Sequence, residues 1–121
     1  MNEKTQLLLD RTFKFGINML KFLKKLPVDS IYKVPVFQLA RSSVSIGANY
    51  EEAQGAVSRR DFSHKIGISY KESLESVYWL RILKELYQQD MYKKDFESFL
   101  IEAIELKAIF AAIKKSSNEN K

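Results

Sequence analysis

The sequence predicts an all-α fold, an antiparallel up-down-up-down four-helix bundle. Four segments repeat apolar residues at spacings of three and four. Only four glycines and two prolines punctuate the 121 residues, too few for a meander of short strands. Short connections between successive long helices make them antiparallel neighbours. With 45% apolar residues the chain can bury one core without staples. We therefore expect a single bundle domain over residues 1–115 and a polar, frayed tail over 116–121.

The first helix is expected from about residue 4 to Leu26, stopped by Pro27. Leu9, Phe13, Gly16, Leu20 and Leu23 form one stripe, and Leu8, Phe15, Met19, Phe22 and Leu26 form another beside it. Together they cover more than half the circumference, wider than one core requires. Lys14, Lys21 and Lys25 share the remaining face. The linker PVDSIYKVP leads to a second helix from Pro35 to Gln54; proline is tolerated in a first turn, and Gly55 is a natural stop. Its apolar rows are Val36, Ala40, Val44 and Gly47, then Leu39, Ile46, Tyr50 and Ala53. The opposite face carries Gln38, Arg41, Ser42, Ser45, Asn49 and Glu52, a stripe of hydrogen-bonding groups. Such a stripe faces water, knits to a neighbouring helix, or contacts a ligand or partner.

Ser58 to Asp61 fits a capping box, so the third helix starts there and is expected to reach Gln88. One row holds Phe62, Ile66, Ser69, Ser73, Val77, Leu80 and Tyr87, where the mid-helix serines would let a neighbour approach closely. A second row, Ile68, Glu72, Glu75, Trp79, Ile82 and Leu86, places two carboxylates in an apolar stripe. Buried carboxylates must be paired or protonated, so Arg41, a lysine or a hydroxyl should answer them. After a turn around Gln89 to Tyr92, the fourth helix runs to about Lys114 with Phe96, Phe99, Ala103, Leu106, Phe110 and Ile113 as its core row. Ile101, Ile104, Ala108 and Ala111 lie on another side. Apolar surface beyond one core-facing stripe on three of the helices predicts a homo-oligomer that buries it.

The chemistry-bearing residues are few. There are no cysteines, which removes disulfides and thiolate metal sites and suits a reducing, cytoplasmic setting. No signal peptide or membrane span is expected. A ferritin-like metal site needs Glu-x-x-His, and the single histidine, His64, has no such partner. Glu72 and Glu75 could share a divalent ion, although a polar network is the plainer reading. A Ser-His-Asp arrangement would have to draw on His64 alone, and no glycine-rich phosphate loop is present. No enzyme, no metal and no cofactor are expected.

Charge is unevenly placed. Residues 1–60 hold ten Lys or Arg against five Asp or Glu, whereas 61–121 hold ten against ten, so the net +5 resides in the first half. Lys14, Lys21, Lys24, Lys25, Arg59 and Arg60 are the candidate phosphate-contacting residues of a nucleic-acid-binding surface. The competing reading is a protein-interaction scaffold, in which Arg41, Ser45, Asn49 and Glu52, with Glu72 and Glu75, form a partner face or a structural polar network.

The stretch LARSSVSIGANYEEAQGAVSRRDFSHKIGISYKESLESVYWLRIL, from Leu39 to Leu83, resembles the bacterial 23S rRNA intervening-sequence proteins. Arg41, Ser45, Ile46, Asn49, Glu52, Ser58, Arg59, Phe62 and Glu72 match the family pattern in order, as does Leu26-Pro27 at the end of the first helix. Ala53 departs from it where many members have Gly. The resemblance implies a bundle that assembles as a ring, commonly a pentamer. It also implies kinship with accessory proteins of diversity-generating retroelements, which work with RNA and a reverse transcriptase as protein partner.

Overall fold

The computed structural model describes residues 2–119. Four helices, α1 (Glu3–Leu23), α2 (Lys33–Gln54), α3 (Arg59–Leu86) and α4 (Asp90–Glu119), form a four-helix bundle, and no strand occurs among the described residues. Each boundary has a local cause. Asn2 Oδ1 accepts from Thr5 N at 2.8 Å to open α1. This helix ends three residues before the expected Leu26, in tight turns where Lys25 N donates to Phe22 O and Leu26 N to Leu23 O. Pro27 disfavours helical backbone at the residue before it, which shortens the helix, yet Leu26 remains buried.

The start of α2 lies at Lys33 rather than Pro35, because Asp29 Oδ1 accepts from both Ile31 N (2.9 Å) and Tyr32 N (2.8 Å) and organises the turn before it. Pro35 becomes the third helical residue, where a backbone N–H has no helical acceptor and is not missed. Ser58 caps α3 by accepting from Asp61 N at 3.0 Å. The returning carboxylate differs from the expected box: Asp61 Oδ2 accepts from Val57 N, one residue farther out than Ser58. At the other end α3 stops at Leu86 instead of Gln88, and Tyr87 turns out of the helix while its N–H still reaches Leu83 O.

Beyond Lys114, α4 continues into the segment expected as tail. Ser117 Oγ donates to Ser63 Oγ, whose own hydroxyl donates to Asn118 Oδ1, so the last turns are held against the start of α3. The remaining expected tail residues, Asn120 and Lys121, lie outside the described residues.

Around the bundle α2 packs most closely on α3 and α3 on α4, while α1 and α4 stand apart. Side-chain size explains the difference. Ser42, Ser43, Ser69, Ser73 and Ser76 are fully buried, and Ser69 Oγ donates to the Ile46 carbonyl of α2 at 2.9 Å. Between α1 and α4 stand rings instead: Phe15 meets Phe99 with centroids 6.1 Å apart, and Phe22 meets Phe96 at 5.0 Å and Tyr92 at 6.1 Å. The α1–α2 crossing is made close by glycine, since a Cβ on Gly47 would stand 3.1 Å from Thr12 Oγ1 and one on Gly16 3.3 Å from Val44.

Two stripes read as core in the sequence are divided by the fold. Phe13 is 68% exposed, and Leu20 and Val44 are also exposed, while their neighbours Leu9, Gly16 and Leu23 are buried. Conversely, Ser42 of the polar stripe is fully buried and bonds Ser76 Oγ at 2.9 Å. Leu86, on the mixed row of α3, is exposed as well.

Candidate functional site

The polar face of α2 is turned to α3. Arg41 reaches across to Glu75, with which it makes a very short ion pair, and its Nη1 donates to Glu72 Oε2 at 3.3 Å. Trp79 Nε1 donates to Glu75 Oε1 at 3.2 Å, so the same carboxylate is held from its own helix. The guanidinium thus occupies the position between the two carboxylates that a shared divalent ion would need. Among the described residues, no group of three or more His, Asp or Glu side chains is placed to hold a metal.

Burial pushes the Glu72 carboxyl above the ordinary glutamate value, and the neighbouring Glu75 charge adds to the rise. Arg41 opposes it and is itself pushed up, chiefly by its hydrogen bond to Glu75. Both directions are consistent with the distances: Arg41 is committed to Glu75, and the 3.3 Å contact to Glu72 is too long to offset the burial of that group.

The other members of this face are satisfied within their helix. Ser45 Oγ donates to Arg41 O at 2.7 Å and Asn49 Nδ2 to Ser45 O at 2.9 Å. Glu52 does not join Arg41; it pairs with Lys65 of α3 at 2.7 Å, which holds the lysine above its ordinary value. Arg41 and Glu52 therefore join α2 to α3, while Ser45 and Asn49 bond the backbone of α2 itself. His64 is exposed on the first turns of α3.

The six cations read as one electrostatic footprint are separated. Lys21, Lys24 and Lys25 lie around the α1 terminus, where Phe22 packs on Tyr92 and Phe96 from the start of α4. Arg59 and Arg60 open α3 at the opposite end, where Arg59 borders a cleft with Phe62, Ala112, Ile113, Ser116 and Ser117. The two groups are a helix length apart, about 30 Å at 1.5 Å per residue. Lys14 lies between them, in a surface depression with Arg11, Asn18, Ile101 and Glu102. All six are exposed, and none makes an ion pair among the described residues.

Two features carried no signal in the sequence. Arg11 donates to both oxygens of Glu102, from Nε at 2.6 Å and Nη2 at 2.7 Å, and approaches Glu105 at 3.2 Å. This bidentate clamp joins α1 to α4 and pushes Arg11 farther up. Its partners are 91 residues apart, beyond any helical spacing rule. An apolar cleft of about 330 Å³ opens between α1 and α2 over Gly16 and Gly47, rimmed by Phe13, Ile17, Val44 and Ala48.

A family model described as 23S rRNA-intervening sequence protein matches residues 4–112. A crystal structure described as a protein with unknown function from the S23 ribosomal protein family, from Bacteroides thetaiotaomicron VPI-5482, is similar at 31% identity and a TM-score of 0.81. The similarity covers 93% of this chain and 98% of that one. A search of curated proteins gives no match. No helix among the described residues is long and apolar enough to cross a membrane.

Proposed function

The chain belongs to the 23S rRNA-intervening sequence protein family, and from that premise we propose a non-enzymatic, cytoplasmic accessory protein that assembles as a ring and binds structured RNA by phosphate contacts. The observation that carries this reading is the division among the cations. Arg11, Arg41 and Lys65 are committed to carboxylates, whereas Lys14, Lys21, Lys24, Lys25, Arg59 and Arg60 project into solvent with no carboxylate partner among the described residues. Unpaired surface cations are available to displace counterions from a phosphate backbone, and a ring would repeat each end cluster around two rims.

Assembly is supported by apolar area left uncovered on a single chain, notably Phe13, Phe37 and Ile101, each about two-thirds exposed. The antiparallel order is supported by side-chain pairs that run in opposite directions along α1 and α4: Arg11 with Glu102, Phe15 with Phe99, Phe22 with Tyr92. A docking role for the polar face of α2 has less support, because Arg41, Ser45, Asn49 and Glu52 already have partners within the bundle.

The test is binding of a structured RNA hairpin at rising salt, for the native chain, K21E/K24E/K25E and R59E/R60E. Affinity should fall steeply with salt, and charge reversal at either end should flatten that dependence. Absence of binding at low salt, or binding unchanged in both variants, overturns the proposal.

A further inference from the structure

We propose that a trough where α1 begins and α4 ends takes the base of an unpaired RNA nucleotide, with the phosphates on either side of it resting on Arg59 and Lys4; this rests on the RNA reading above. Two adjoining clefts, of about 420 and 500 Å³, share Phe62 and Ile113 and so form one trough. Its origin is the spacing of α1 from α4. Elsewhere along these helices the gap is filled by the rings of Phe15, Phe22, Phe96 and Phe99. Past the Arg11–Glu102 clamp the side chains there are Leu8, Ile109 and Ile113, and helices held apart by rings leave room above aliphatic chains. Each cleft falls within the size range of small-ligand sites, about 300 to 1,000 Å³.

Charge identifies the occupant. Three other surface clefts each carry a carboxylate: Glu51 between α1 and α2, Glu102 beside Arg11, and Glu85 beside Arg81. No carboxylate lines the trough among the described residues, while Lys4 lines one of its clefts and Arg59 the other. Both cations are exposed, and neither makes an ion pair among the described residues. Arg11 also borders the trough, but its guanidinium is committed to Glu102 and Glu105. An apolar trough with a free cation in each half fits a ligand that is anionic before and after an apolar body. A fatty-acid-like amphiphile carries its charge at one end only, whereas an RNA strand carries a phosphate on both sides of every base. Phe62, half-buried where the two clefts meet, supplies an aromatic ring for stacking. A paired base inside a helix is stacked on its neighbours, so the trough selects an unpaired one. Arg59 also belongs to the cation pair assigned to phosphate contact, which makes base and backbone contacts continuous.

The experiment compares an RNA hairpin carrying one unpaired adenosine with the same hairpin fully paired, by fluorescence anisotropy at low salt. The native chain should bind the bulged hairpin about tenfold more tightly, toward the lower end of what stacking on an aromatic ring contributes. Phe62→Leu keeps an apolar side chain and removes the ring. Ala112→Leu narrows the trough from an exposed helical position that accepts leucine. Both variants should lose the preference while their affinity for the paired hairpin stays unchanged, and Phe62→Trp should keep it. Lys4→Glu should reduce the preference, whereas Arg59→Glu should weaken binding of both hairpins. Helical circular dichroism checks the fold of each variant. Equal affinity of the native chain for the two hairpins overturns the proposal and leaves the RNA reading standing. A preference that survives in both F62L and A112L places the unpaired base elsewhere and overturns it in the same way. Absence of binding to either hairpin at low salt removes both.

Discussion

The Tyr87 hydroxyl donates to the Pro27 carbonyl at 2.6 Å, tying the exit of α3 to the linker between α1 and α2 across 60 positions of sequence. The ring of Tyr87 is buried and packs edge-on against Tyr32 and Tyr92, so the bond closes one end of the bundle over three aromatic rings. Tyr87→Phe keeps the rings and removes the bond. We expect a loss of about 1 kcal/mol, a few degrees in Tm, measured by thermal denaturation. A larger loss would mean that the hydroxyl also orders the linker.

Arg41→Ala should leave Glu72 and Glu75 without their cation. Glu72 has only 14% of its side chain exposed, but Arg41 has 43%, so solvent screens part of the interaction. The expected cost is about 1 to 2 kcal/mol, below the range for a fully buried pair. Urea denaturation at neutral pH would measure it, and a cost near zero would class the pair with ordinary surface ion pairs.

Glu72→Gln tests the opposing effect of burial. The folded state holds this carboxyl above its ordinary value, so the protonated form is favoured by folding. That contribution is fully present below about 4.5, the ordinary value, and is lost as pH rises through the raised one. Gln stays neutral at every pH. The variant should therefore match the native chain near pH 4 and exceed it in stability at pH 7, as followed by denaturation midpoints across that range. Lower stability at pH 7 would show that pairing with Arg41 outweighs burial.

Glycine substitutions should separate close packing from helix propensity. Gly47→Ala forces a Cβ to within 3.1–3.3 Å of Thr12, including its backbone carbon, and should cost about 1 to 3 kcal/mol despite the better helix former. Gly67→Ala meets only the end of the Lys114 side chain, at 3.3 Å, so a small shift of that ammonium against its bonds to Ser63 admits the Cβ and the propensity gain of up to about 1 kcal/mol should prevail. Denaturation of the two variants in parallel measures both signs.

Arg11→Lys should weaken the junction of α1 with α4. A lysine keeps the charge but cannot span both oxygens of Glu102 as the guanidinium does at 2.6 and 2.7 Å. Because both side chains are about one-third exposed, the expected loss is modest, about 0.5 to 1 kcal/mol. Hydrogen exchange should show faster opening of α1 than of α2 and α3.

The sequence by itself determined the four helices, the Ser58 cap, the serine-lined close packing and the need for Arg41, a lysine or a hydroxyl to answer Glu72 and Glu75. These follow from interactions among residues a few positions apart, or from the energetic penalty of burying a lone carboxylate, and both are visible in spacing. Tertiary structure decided the rest. Which of two adjacent apolar stripes is covered depends on the neighbour's position, and 3.6-residue periodicity does not record that, so Phe13 and Val44 are exposed while Ser42 is buried. The same is true of Arg11 with Glu102 and of Glu52 with Lys65, whose partners come from other helices. Charge read along the chain also merged Lys21, Lys24 and Lys25 with Arg59 and Arg60. Helices of this length carry sequence neighbours to opposite ends of a bundle, so a one-dimensional excess of positive charge became two separate clusters in three dimensions.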